Sequence, residues 1–169
     1  MLLQNAQPIA ERLKTELAPY CERIEIAGSI RRQKPEVKDI ELVVIPKHVP
    51  ADMFGSTTEP HPDFCRIINA LEKVKGEPTG KYTQRILPEG IKVDIFIADP
   101  DNWGLIYAIR TGSADFSYKI LGGAWVRCGY KSVNGYLMEG EKRVPVREEE
   151  ELFRLLRLPF TPPEQRSMV

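Results

Sequence analysis

The sequence has little cysteine, little histidine, no excess of charge of either sign and no long apolar run. Its three cysteines, Cys21, Cys65 and Cys128, are odd in number, far apart and never in a Cys-x-x-Cys pair. That spacing argues against a disulfide framework or a zinc knuckle, and reduced thiols inside a cell are expected. No stretch approaches the ~20 consecutive apolar residues of a membrane span. Met1 to Leu13 carries no basic region followed by an apolar run, so no secretory leader is expected either. The expected location is intracellular, cytoplasmic if the source is bacterial or phage, with no membrane partner. Over 169 residues, 24 Lys+Arg balance 24 Asp+Glu. This balance argues against a uniformly basic nucleic-acid binder, although a local stripe of Lys and Arg is enough to hold phosphates. Repeats and low-complexity linkers are lacking too, and the length fits one compact domain or two small lobes.

What is present alternates between helix and strand signals. Ile9, Ala10, Leu13 and Leu17 share one helical face in Ala6–Leu17, and Pro19 ends the run. Arg23–Ala27 alternates as a short strand that stops at Gly28-Ser29. Asp39–Ile45 is a second strand, β-branched and apolar after its first residues. Pro46–Pro62 reads as an irregular loop. Phe64, Ile67, Ile68, Leu71 and Val74 then mark an amphipathic helix. Tyr82–Leu87 and Ile91–Ala98 form a hairpin about Pro88-Glu89-Gly90. After Asp99-Pro100-Asp101, Trp103–Arg110 and Ala114–Cys128 read as helices. Asn134-Gly135 is a hairpin turn between Lys131–Val133 and Tyr136–Met138. Glu148–Leu156 is a last helix with a solvated acidic first turn, and Trp103 and Trp125 are expected in the core of this second lobe. His48 and His61 fall in the Pro-rich loop and are expected to be exposed.

Side chains two apart on a strand share a face, so Asp39 and Glu41 point the same way. Two carboxylates there repel each other and are costly to bury unpaired, and a hard divalent cation relieves both problems. A third acid, Asp94, lies in the otherwise apolar strand Ile91–Ile97. If the two strands are neighbours, three carboxylates converge, enough for two metals. Each acid alone reads equally well as a solvent-facing residue on an edge strand. Upstream, Gly28-Ser29-Ile30-Arg31-Arg32 offers backbone N–H groups, a hydroxyl and two guanidiniums to an anion. In isolation that pentapeptide reads as a plain Ser N-cap with solvated arginines. Together, a phosphate cradle, a later Asp-x-Glu and a lone Asp are the parts of metal-assisted phosphoryl transfer.

The Gly28–Arg32 run followed by Asp39-Ile40-Glu41 resembles the signature of the nucleotidyltransferase superfamily. More narrowly, the chain is similar to the family X DNA polymerases, the group of DNA polymerase beta. Arg110-Thr111-Gly112-Ser113 with Phe116 resembles the turn that opens that family's thumb, and Glu149–Pro159 through Pro162–Arg166 resembles its C-terminal segment. The resemblance implies an α/β (α+β) fold: a palm over 1–100 with a mixed sheet and flanking helices, and a small helical thumb with a β-hairpin over 101–169. It casts Asp39, Glu41 and Asp94 as catalytic ligands of two Mg²⁺ (or Mn²⁺) ions. Gly28, Ser29, Arg32, Arg110, Gly112 and Ser113 become nucleotide-binding residues, and Lys92, Arg127 and Lys131 contacts to nucleic acid.

The implied reaction adds a nucleoside monophosphate from a dNTP or NTP to a nucleic-acid 3′-hydroxyl, with pyrophosphate released, on primed or gapped DNA or without a template. A monomer is expected, with a weak, salt-sensitive grip on DNA. Arg31, Arg32, Lys38, Lys92, Arg110 and Arg127 are expected to make its groove locally positive. The chain departs from the family pattern at several places. Glu41 stands where an Asp is usual, Ile109-Arg110 replaces an aromatic pair, and Ala114 and Ser117 replace polar contacts to the base. A helix-hairpin-helix lobe, with its lyase activity, is not expected. Two other readings share the same motifs: a nucleotidyltransferase acting on a small molecule or protein, and a non-catalytic module that binds DNA ends.

Overall fold

The computed structural model describes residues 1–167. Helix α1 (Leu3–Leu17) leads to β1 (Cys21–Ile26), the short helix α2 (Gly28–Arg31) and β2 (Asp39–Pro46). Next come β3 (His48–Pro50), β4 (Thr58–Pro60), α3 (Pro62–Asn69), β5 (Glu72–Gly76), β6 (Tyr82–Ile86) and β7 (Lys92–Ile97). The remainder holds α4 (Trp103–Thr111), a π-helix (Phe116–Gly122), α5 (Gly123–Arg127), β8 (Lys131–Val133), β9 (Tyr136–Glu139), β10 (Lys142–Val144) and α6 (Glu149–Leu155). These elements form two compact units: Met1–Ile26 with Pro35–Ile97, and Ala27–Lys34 with Ala98 onward.

The first unit is built on a sheet of order β1-β2-β7-β6-β5. β2 and β7 run parallel, and every other pairing in the sheet is antiparallel. Ile40, Leu42 and Val44 of β2 lie in register with Val93, Ile95 and Ile97 of β7, and all but Ile97 are buried. Their β-branched and apolar side chains suit a pleated face covered by helices. α1 turns Ala6, Ala10, Leu13 and Leu17 inward, and α3 turns Phe64 and Ile68 inward. Each large apolar side chain so enclosed contributes about 1.5–3 kcal/mol. Arg85, 2% exposed, is satisfied by Thr83, Leu71, Asn69 and Gly76, so its burial has a structural cause.

Cys21 begins β1 in this core, and burial pushes its thiol up to about 12 against the pull of the Lys47 ammonium. Because the thiolate is the reactive form, Cys21 is expected to be the last of the three thiols alkylated by iodoacetamide at neutral pH. Mass spectrometry of the timed reaction checks this, and early labelling of Cys21 contradicts it.

Two stretches differ from the sequence expectation. The helix over 64–74 ends at Asn69, because Glu72–Gly76 leaves it to pair with β6 as the sheet's edge. Pro46–Pro62 is not wholly irregular, since His48–Pro50 and Thr58–Pro60 form a short antiparallel pair. His61 lies half-buried and caps α3, its Nδ1 accepting from the Asp63 amide.

The second unit packs α4 and α6 over a core that includes Leu105, Phe116, Leu121, Leu137, Leu152 and Phe153. Trp103 is 1% exposed and Trp125 packs against the same cluster, as expected. Asn134 and Gly135, both at positive φ, make the β8–β9 turn, and β10 adds a third strand that the sequence did not suggest. The expected helix over 114–128 is interrupted: Phe116–Gly122 is wound as a π-helix before α5 resumes. Asn102 ties α4 to the hairpin, accepting from the Asp99 amide and donating to the Gly135 carbonyl at 3.0 Å.

Gly104 sits directly under the backbone of Glu148, where a Cβ would collide with its carbonyl. Main chain cannot rotate aside as a side chain can, so Gly104→Ala is expected to destabilise the protein by about 1–3 kcal/mol. The urea midpoint reads this out, and an unchanged midpoint contradicts the close approach.

Candidate active site

The parallel pairing of β2 with β7 places Asp39 opposite Lys92 and Glu41 opposite Asp94. Asp94 is in turn opposite Gln84 on β6. Because registered residues share a face, Asp39, Glu41 and Asp94 lie on one side of two neighbouring strands. The condition set by the sequence, that the acid-bearing strands be adjacent, is met. Asp94 is 7% exposed, and Asp39 and Glu41 are half-buried. Burial raises the Asp39 carboxyl above its ordinary range and the Asp94 charge raises it further, while Lys92 and Lys38 pull it back. Both burial and the neighbouring Asp94 charge thus work against an ionised Asp39, a setting that a bound cation would relieve.

The Asp94 carboxylate is itself engaged. The Tyr82 hydroxyl and the Gln84 amide (2.8 Å) both donate to its Oδ1. Among the described residues no three His, Cys, Asp or Glu side chains are gathered closely enough to hold a metal ion as they stand. The donor set suits a hard divalent cation in kind and in register.

The second unit holds the other expected residues except Lys92. Ala27 is extended and Gly28 takes φ +62°, a conformation that only glycine adopts without strain. The chain then makes the single turn of α2 through Ser29. Arg32 Nη1 donates to the Thr111 carbonyl at 2.8 Å, so α2 and the Thr111-Gly112-Ser113 turn are brought together. A Cβ at Gly112 would meet Cδ1 of Phe116 at 2.7 Å and Oγ of Ser117 at 2.8 Å, so the turn fits only glycine closely. Ser113 Oγ accepts from the Phe116 amide, and the Ser113 amide donates to the Arg166 carbonyl. Ser117 Oγ donates to the Ile109 carbonyl at 2.7 Å. Arg110, Arg127 and Lys131 are exposed on this unit, and Lys92 is exposed on β7.

Two expectations are corrected here. Arg31 does not contribute a solvated charge: its Nη2 meets Glu149 Oε1 at 2.7 Å, its Nη1 meets Glu149 Oε2 at 2.9 Å and Thr111 Oγ1 at 2.8 Å. Its guanidinium also stacks 3.8 Å from the Tyr107 ring centroid. Glu149, read as part of a solvated acidic turn, is 5% exposed. It is held from the other side by Arg166, which is fully buried and also donates to the Thr161 carbonyl at 2.7 Å. No local pattern in the sequence distinguishes Glu149 from Glu150 or Glu151; its partners lie 118 and 17 positions away.

Residues 106–167 match the family model of the DNA polymerase beta thumb. Among solved structures, the chain is similar to the polymerase beta of Leishmania infantum, described as a ternary P/T complex. The TM-score is 0.72 at 20% identity, over 98% of this chain and 76% of that one. No curated protein sequence matches. The fold is thus that of polymerase beta, and the resemblance to family X DNA polymerases drawn from the motifs holds. No helix among the described residues is long and apolar enough to cross a membrane.

Proposed function

We propose that the protein is a nucleotidyltransferase of the DNA polymerase beta kind, which extends a nucleic-acid 3′-hydroxyl by one nucleoside monophosphate at a time. The observation that carries this reading is the β2–β7 register, which sets Asp39, Glu41 and Asp94 on one face of adjacent strands. The thumb match over 106–167 supports a nucleic-acid substrate over a small molecule or a protein.

In the reaction, the 3′-hydroxyl gives up its proton to solvent water, its oxygen forms a bond to the α-phosphorus, the α–β phosphoanhydride bond breaks, and pyrophosphate leaves with the negative charge. Asp39, Glu41 and Asp94 would hold Mg²⁺ or Mn²⁺, which supplies Lewis-acid polarisation of phosphoryl oxygens and a more acidic hydroxyl. Ser29, the backbone at Gly28 and the Arg32 guanidinium bind triphosphate oxygens, with Arg110, Gly112 and Ser113 around the remaining nucleotide. The hydrogen bond from Arg32 to the Thr111 carbonyl supports this role, since a guanidinium restrained in advance loses less freedom on binding. The protein contributes positioning and charge stabilisation, with no covalent intermediate. Lys92, Arg127 and Lys131 contact nucleic-acid phosphates. With Lys+Arg and Asp+Glu equal at 24 each, binding to DNA is weak and falls as salt rises.

The test is incubation with gapped, primed and single-stranded oligonucleotides, each with dNTPs or NTPs, in Mg²⁺ and in Mn²⁺. Primers lengthened by single nucleotides with pyrophosphate released support the reading. Labelled nucleotide found only on a protein or small molecule, or metal-independent DNA binding without incorporation, overturns it.

A further inference from the structure

Resting on the reading just given, we propose that Tyr82 and Gln84 are positioning residues that fix the orientation of the Asp94 carboxylate and set which of its oxygens faces a divalent cation. Neither residue belongs to the motifs that announced the site. Both side chains rise from β6 onto the face that carries Asp94, with Gln84 directly opposite it. Their donors converge on the same oxygen, Oδ1, instead of dividing between the two. A carboxylate with two donors on one oxygen and 7% exposure is held at one torsion, and Oδ2 becomes the oxygen offered to a cation.

The clamp is itself braced. The Tyr82 ring stacks on Phe96 with centroids 5.0 Å apart and planes 25° apart, and the Lys75 ammonium lies 5.5 Å from its centroid. The phenol is thereby rigid, so its hydroxyl acts as a fixed donor and not as one rotamer among several. Gln84 occupies the centre of its strand, and the side chains of Thr83 and Arg85 on either side of it are buried on the opposite face. A Tyr and a Gln at alternate positions on β6 thus tune an acid on β7 in the way second partners commonly orient metal-binding carboxylates.

Tyr82→Phe removes the hydroxyl and keeps the stacked ring; Gln84→Met removes the donor at nearly constant volume. Mn²⁺ binding by the full chain, without nucleotide, is followed by electron paramagnetic resonance of free Mn²⁺, alongside primer extension and thermal unfolding. Each variant is expected to weaken Mn²⁺ binding about 10-fold or more and to lower kcat comparably, with KM for the nucleotide and the unfolding midpoint little changed. Asp94→Asn is the reference. If it loses Mn²⁺ affinity while Tyr82→Phe and Gln84→Met bind as the native protein does, the clamp is overturned and the functional reading stands. If Asp94→Asn also binds Mn²⁺ like the native protein, both fall.

Discussion

Asp94→Asn is expected to reduce primer extension by about 10³-fold or more while leaving the protein as stable as before. The substitution keeps the shape of the side chain and an oxygen that accepts from Tyr82 and Gln84, but removes the charge and replaces the other oxygen with an amide NH₂ that cannot ligate a cation. Stability should hold or rise slightly, because Asp39 is raised partly by the Asp94 charge and that repulsion disappears. Asp39→Ala is expected to abolish transfer for the same reason. The contrast, lost activity with retained stability, is what separates a functional carboxylate from a structural one. Single-turnover extension with a matched thermal unfolding scan measures both quantities. Extension at native rates by either variant would sink the assignment of these acids.

Glu149→Ala is expected to do the opposite, costing about 3–5 kcal/mol of stability. Arg31 and the fully buried Arg166 would lose the anion they share and keep neutral partners, such as Thr111 Oγ1 and the Thr161 carbonyl. For a chain of this size the thermal midpoint should fall on the order of 10 °C. Glu149→Gln should fall less, since a neutral amide still accepts from one arginine. The surface pair Lys73–Glu77, about half exposed on both sides, makes a useful comparison, because its removal should have no measurable effect. A drop for Glu149→Ala no larger than that control would show the network to be incidental.

Much of the fold was legible because local physics wrote it into short stretches. The apolar runs of β2 and β7, the Pro88–Gly90 and Asn134-Gly135 turns and Pro19 each act within a few residues. The acids stood out for the converse reason: a carboxylate in an apolar strand contradicts its surroundings. What escaped was decided by distant partners. Val74 continues a helical spacing, yet β6 recruits it into an edge strand. Nothing in Phe116–Gly122 announces a π-turn. Glu149 looks like its neighbours until Arg31 and Arg166 arrive. Tyr82 and Gln84 were missed because their role exists only once β6 lies beside β7 in the observed register.

The single parallel pairing in an otherwise antiparallel sheet also bears on the order of folding. Glu41 and Asp94 touch strands that are neighbours in space but 53 positions apart in the chain. The β6–β7 hairpin closes over a short turn and is free to form early, whereas β2 must wait for a long loop to close upon it. The acids are therefore expected to come together only after the β6–β7 hairpin has formed, in the same step that pairs the apolar residues of β2 with those of β7. A ribosome-bound chain truncated before Lys92 would carry Asp39 and Glu41 without their third partner, whatever helices it had already formed.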